Sequence, residues 1–305
     1  MVKIKEFIRR RFFLIGLSFV ALIVIGLSFL GPSLFRQTKE EVLGPIITRP
    51  IFSQAKIVSQ NIIYQLDFPE KPYSPLELPL YQASERSHPK ASPISFNLEG
   101  EKVVSSTLRA EEIAKLYLSQ NNLWAKELDK AEIDIEFLKV GGYEVFKAKN
   151  VDEADIFNVL FYPKIENYII LANSPFFPLM EVWVRENGQV QKVADFLANY
   201  QQKGTQKYSI ISFDQAWQQV LNQRAVITSL SIEQEKYFTS EFKINKISLK
   251  KAYLAYFQEQ TLPSLLQPIW VFEGETIFED GTSSGVSLYL PALEEKYYLG
   301  SVGLK

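Results

Sequence analysis

The sequence predicts an α+β fold carried behind a single N-terminal transmembrane helix. Three observations predict it. A long uncharged run lies near the N-terminus, next to a cluster of bases. Two later segments place apolar residues at helical spacing and begin with capping residues. Each of those segments is followed by short runs of alternating or continuous apolar residues, the signature of strands. The expected architecture is therefore the transmembrane helix followed by two helix-plus-antiparallel-sheet units. Its parts are a basic tip and span over residues 1–35, a stalk and proline-rich linker over 36–93, a first unit over 94–205 and a second over 206–305.

Phe12 to Leu30 is nineteen residues without a charge, and the uncharged run continues to Phe35. At about 1.5 Å of rise per residue, such a helix spans a hydrocarbon core of about 30 Å. Lys3, Lys5, Arg9, Arg10 and Arg11 precede it against one acid, Glu6. By the positive-inside rule the N-terminus is cytoplasmic and the rest of the chain extracytoplasmic, with residues 12–30 in contact with membrane lipid. The competing reading is a cleaved export signal. It requires a small-x-small site after the run, and Gly31-Pro32-Ser33 supplies only a proline-interrupted version.

The chain has 33 basic and 35 acidic side chains. Residues 1–11 hold five of the bases and one of the acids, so 28 and 34 remain, and the exported part is mildly acidic. It offers no basic face, which argues against nucleic acid as a partner. With no cysteine there is no disulfide, thiol nucleophile or cysteine metal site, so the exported part depends on its core. The 41 aromatic residues (4 Trp, 15 Tyr, 22 Phe) make a sizeable one available. Nothing in the sequence sets an oligomeric state.

Along the chain, Ile62, Tyr64, Leu66 and Phe68 alternate as in a short strand. Prolines at 69, 72, 75, 79, 89 and 93 then predict an extended linker or surface arm. "STLRAEEIAKLYLSQNN" places Ala110, Ile113, Ala114, Tyr117 and Leu118 on one helical face, with Ser106 or Thr107 as cap. "EIDIEFL", "YEVFKAK", "IFNVLFY" and "NYIILA" read as strands. Asn187-Gly188 predicts a tight hairpin turn with positive φ at both positions. The pattern restarts in "SFDQAWQQVLNQ", where Phe213, Ala216, Trp217, Val220 and Leu221 share a face and Ser212 with Gln215 fits a capping box. "KINKISLKKAYLAYF", "PIWVFEGETIF" and "GVSLYLPAL" follow as strands, the last two joined across "EDGTSSG". Two readings of this recurrence stand: a loose internal duplication, or two unrelated α+β pieces. Under the first, Trp183 and Trp270 are equivalent core positions.

No catalytic constellation is visible, and the expected catalytic, cofactor-binding and metal-ligating sets are all empty. The chain is read as a non-enzyme. Its one histidine, His88, lies in the proline-rich stretch, where an exposed turn residue is the simplest reading. Glycosidase-type chemistry requires two carboxylates facing each other across a cleft. Glu111-Glu112, Asp152 with Glu153 and Asp155, and Glu279-Asp280 read instead as solvated faces and loops, and the spacing at 152–155 fits no known calcium loop. The four tryptophans could line a groove, but Trp217 on an apolar helix face reads as core.

"PLMEVWVRENGQVQKVADFLANYQQKGTQKYSIISFDQAWQQVL" and "INKISLKKAYLAYFQEQTLPSLLQPIWVFEG" together resemble the YycI/YycH-type proteins, single-pass membrane regulators of a cell-wall sensor histidine kinase. They also resemble the PepSY-like domains. The resemblance covers about residues 95–295 and the anchor, and the arm at 69–93 departs from it. It implies a bacterial envelope protein with a mixed α+β ectodomain and no catalytic residues. The expected function is that of a membrane-anchored extracytoplasmic interaction protein that binds another envelope protein. The alternatives are an envelope-assembly or secretion-apparatus component, a PepSY-like protease inhibitor or chaperone, and an envelope hydrolase using paired carboxylates.

Overall fold

Alternating apolar residues dominate the part of the chain seen in the computed structural model, which describes residues 47–52, 62–68, 70–87, 103–142, 144–231 and 243–298. The expected span at 12–30 and His88 lie outside the described residues. Among the described residues no helix is long and apolar enough to cross a membrane. The chain divides after Ile47, and every element below belongs to the part beginning at Thr48.

Strands hold 51% of the described residues and helical turns 15%, so the fold is mainly β, and the expected α+β class is corrected. Fourteen strands form two sheets, with only two α-helices beside them among the described residues. The smaller sheet is an antiparallel arrangement of β3 (Glu132–Gly141), β4 (Glu144–Lys147), β5 (Ile156–Tyr162), β8 (Met180–Arg185) and β9 (Val190–Asp195), in the order β4-β3-β5-β8-β9. Helix α1 (Thr107–Gln120) lies over β5, β8 and β9. Ser106 caps it by accepting the Arg109 N–H, and of the five residues on the predicted face Ala110, Ala114 and Leu118 are buried while Ile113 and Tyr117 are half-buried. Small residues at two of these three positions bring the helix close to Phe157, Val159 and Phe161, which point to the same side of β5.

The larger sheet is built on two long strands, β12 (Ile244–Phe257) and β13 (Ser264–Phe278), paired antiparallel. Each is long enough for two partners in succession on its other edge. β12 takes β1 (Ile63–Leu66) and then β7 (Tyr168–Leu171), both parallel. β13 takes β2 (Glu77–Ser84) and then β14 (Ser283–Pro291), both antiparallel. β6 (Lys164–Ile165), β10 (Asn199–Ser209) and β11 (Val226–Leu230) add to β7, β2 and β14. β2 lies inside the proline-rich stretch, with Leu78, Leu80, Tyr81 and Ala83 buried. Its Pro79 lies beyond the three residues that pair with β13, where a missing N–H breaks no bond to that strand.

Helix α2 (Phe213–Leu221) starts with the predicted capping box, Ser212 and Gln215 each satisfying the other's backbone N–H. Phe213, Ala216 and Val220 are buried; Trp217 is half-buried and Leu221 is exposed, so the buried stripe is narrower than the spacing predicted. Nine residues make too short a helix to wrap its edges, and the core beneath it comes from β13. There Trp270 and Phe272 meet the Phe213 ring at 5.8 and 6.3 Å. Trp183 is not the counterpart of Trp270. Val182 and Val184 face the core on β8, so Trp183 between them points to the opposite face, beneath Lys192 at 4.4 Å from its ring.

The hairpin at 185–189 forms by a different turn from the one expected. Gly188 has φ +83°, but Asn187 does not have a positive φ. The Gly188 N–H bonds to Arg185 O and the Arg185 N–H to Gln189 O, which makes a three-residue loop closed by a left-handed glycine. The second hairpin repeats it: Gly281, also at φ +83°, donates to Phe278 O, and Phe278 donates to Thr282 O. In both loops the residue before the glycine, Asn187 or Asp280, accepts the N–H two residues on.

Candidate functional site

The carboxylate clusters are occupied with structure. Glu111 pairs with Lys115 at 2.6 Å and Glu112 with Arg109 at 3.0 Å on the outer face of α1. Asp155 accepts the Val140 N–H at 2.8 Å, pinning β3 to the start of β5. Asp280 accepts both the N–H and the hydroxyl of Thr282, which holds its carboxyl below the usual range. Among the described residues no three acidic or histidine side chains converge to hold a metal.

A cleft that the sequence did not announce lies between β2, β10, the β6–β7 turn and the short helical turn Lys126–Leu128 after α1. It holds about 370 Å³. The strand register builds its floor: Tyr81 pairs with Gln202 and Ala83 with Tyr200, so Tyr81 and Tyr200 share one face of the sheet. Ile165 and Glu127 complete the floor, and all four are buried. Glu127 is drawn inward because Leu123 and Leu128 on either side of it are anchored in the core. Its side chain is 7% exposed, and its ion-pair partner is Lys126 at 3.8 Å, itself 79% exposed.

The rim is charged. Lys164 pairs with Glu132 at 2.8 Å, and Lys130 also lines the cleft. Glu166 accepts from the Tyr81 hydroxyl at 3.5 Å and has φ +56°, a left-handed conformation that costs a non-glycine residue energy. Burial first, and then the Glu166 charge and hydrogen bond, push the Tyr81 hydroxyl up to about 12. Burial also drives the Tyr200 hydroxyl well up, with Glu127 and Asp195 adding to the shift against the opposing Ala198 N–H and Arg86. Tyr200 donates to Gln258, which in turn donates to Phe196 O at 2.9 Å. Behind it Arg86 lies 3.4 Å from Asp195 and donates to Leu123 O at 2.8 Å. These bonds tie the ends of β2, β9 and β12 together, so the cleft is set on rigid elements.

A second feature is apolar. Ser174-Pro175-Phe176-Phe177-Pro178 joins β7 to β8. Phe176, Phe177 and Phe196 are 53%, 46% and 46% exposed. The Phe177 and Phe196 rings meet at 5.2 Å. The loop is stiff: Ser174 accepts the Phe176 N–H on its hydroxyl and the Phe177 N–H on its carbonyl, and prolines stand on both sides.

No family model and no curated protein matches the chain. Among solved structures it is similar to an uncharacterized protein from Eubacterium rectale ATCC 33656, at 11% identity and a TM-score of 0.34. The match covers 62% of this chain and 54% of that one, so the chain spans about half that protein's length. A likeness at this level assigns neither fold nor function.

Proposed function

We propose that the chain is a single-pass, membrane-anchored interaction protein of the bacterial envelope. Residues 12–30 cross the membrane with the N-terminus in the cytoplasm, and the β-rich part beyond docks on another envelope protein. The observation that carries the reading is the Phe176–Phe177–Phe196 patch. Phe176 and Phe177 on the proline-flanked loop, with Phe196 from the end of β9 against Phe177, leave about half of each side chain exposed, and exposed apolar surface of this kind marks a contact site. A loop ordered in advance loses little entropy on docking, and buried aromatics dominate binding energy. The resemblance to the regulators of a sensor kinase supports a kinase-type partner held in the same membrane, where tethering raises the effective concentration.

The test places a photo-crosslinking residue at Phe176 of the full-length chain in intact cells. A discrete adduct with one membrane protein, lost in a Phe177→Ser, Phe196→Ser variant that melts like the parent, is the expected result. Adducts with lipid alone overturn docking on a protein. Protease added to spheroplasts should digest the ectodomain and spare the N-terminus; a protected C-terminus overturns the orientation. Full rescue of a deletion strain by a secreted ectodomain would replace the membrane-coupled mechanism with a soluble inhibitor or chaperone.

A further inference from the structure

The cleft above Glu127 is built from residues separate from the phenylalanine patch. A carboxylate this buried is normally held by hydrogen bonds or a buried cation. Among the described residues none donates a hydrogen bond to Glu127, and the pair it makes with Lys126 is long and screened by solvent. Beyond that long pair its oxygens keep unused hydrogen-bonding capacity on the cleft side. The Tyr81 and Tyr200 side chains line the floor beside it, and aromatic side chains next to a carboxylate favour an organic ammonium group. A divalent metal is a poor match, because it needs several more oxygen ligands than converge here.

The rim carries positive charge as well, set among the carboxylates of Glu166 and of Asp129, which accepts the Trp124 indole N–H at 2.9 Å. Lys164 is committed to Glu132 and Lys126 lies against Glu127, whereas Lys130 makes no ion pair among the described residues. A volume of about 370 Å³ is at the small end for ligand sites. Glu166 adds a further carboxylate at the rim. Glycine or asparagine would form the β6–β7 turn with less strain, yet a glutamate occupies its left-handed position and faces the cleft.

We propose that this cleft binds an amino-acid-sized zwitterion, an amino acid or short peptide whose ammonium group meets Glu127 and whose carboxylate meets Lys130. The proposal does not depend on the phenylalanine patch or on the identity of a docking partner.

The experiment is calorimetric titration of the full-length protein in detergent with alanyl-alanine, its N-acetyl form and its C-terminal amide. Saturable binding of the free dipeptide is expected. N-acetylation and Glu127→Gln should each weaken it about 10- to 100-fold, the range carried by a charge-assisted hydrogen bond. The two changes together should weaken it little more than either alone, because both remove one interaction. Lys130→Ala should weaken the free dipeptide and leave the amide unchanged. A carboxylate that makes only a long, solvent-screened pair adds little to the fold, so Glu127→Gln should melt at or above the parent temperature. N-acetyl dipeptide binding as tightly as the free form overturns the proposal, as does the absence of saturable heat. A lowered melting temperature with unchanged dipeptide affinity would make Glu127 a structural residue. If the variant does not fold, the comparison of free and acetylated dipeptide on the unaltered protein still decides.

Discussion

Replacing Trp270 by alanine tests where the second core is anchored. Trp270 is fully buried on β13 between Leu254 of β12 and Leu290 of β14. Its ring lies 5.8 Å from Phe213 and 6.4 Å from Phe272, and its N–H donates to Ile211 O at 3.0 Å. Ile211 immediately precedes the Ser212 cap, so the indole ties the sheet to the start of α2. Truncation to alanine in a packed core costs about 3 to 5 kcal/mol. That is a large share of the roughly 5 to 15 kcal/mol that holds a protein folded. At about 2 to 4 °C per kcal/mol for a chain of this size, the melting temperature should fall by about 6 to 20 °C. Trp270→Phe keeps most of the apolar contact and leaves Ile211 O without its indole donor, so it should cost less, about 1 to 3 kcal/mol. Trp217 is only half-buried, and Trp217→Ala should cost about half as much as Trp270→Ala. Urea and thermal unfolding followed by circular dichroism measure all three. If Trp217→Ala destabilises as much as Trp270→Ala, the apolar stripe of α2 is the anchor and the reasoning from β13 is wrong.

Gly274 sits where β12 bulges at Lys250, and an added Cβ would lie 2.0 Å from Ser248 O, so Gly274→Ala should cost about 1 to 3 kcal/mol or more by urea midpoint. An unchanged midpoint would show that the two strands separate more easily than their close approach implies. Ser212→Ala removes one half of the capping box and should cost about 1 kcal/mol, with the loss confined to thermal stability. At high pH the buried and half-buried tyrosines should titrate late. Burial raises Tyr81 and Tyr162 to about 12, against about 10 in the unfolded chain. The neutral form therefore favours folding: this contribution is intact below about pH 10 and is lost as pH rises toward about 12. Absorbance at 295 nm should show a delayed class of tyrosines ionising with loss of structure. A single titration near pH 10 in a still-native protein would contradict their burial.

Both helices were legible because their information is local. Ser106 and Ser212 cap within three residues, and Ala110, Ala114 and Leu118 recur at the helical period. The two hairpins were legible as hairpins for the same reason, since a glycine in the loop permits positive φ. Their turn type was not, because flanking strand twist decides between turns that use the same residues. The sequence did not show β2 or β10. β2 carries a proline and β10 is mostly polar and exposed, and they recognise each other across more than a hundred residues, as in Asn199 with Ser84. That pairing, with β6 and β7 joining the larger sheet, moves the class from α+β to mainly β.

The candidate sites divide along the same line. Two adjacent phenylalanines between prolines can be read in "SPFFP", although the contact of Phe177 with Phe196 cannot. Nothing in "LWAKELDK" distinguishes Glu127 from its neighbours Lys126 and Asp129. By itself the sequence determined the basic cluster before an uncharged run, the absence of cysteine, the helix caps and the glycine turns, all of which depend on composition or on residues a few places apart. Only the tertiary structure decided that Leu123 and Leu128 would bury the acid between them and that Tyr81 and Tyr200 would stand beside it. Burial is a property of what packs around a residue, and here those neighbours arrive from strands far away in the chain.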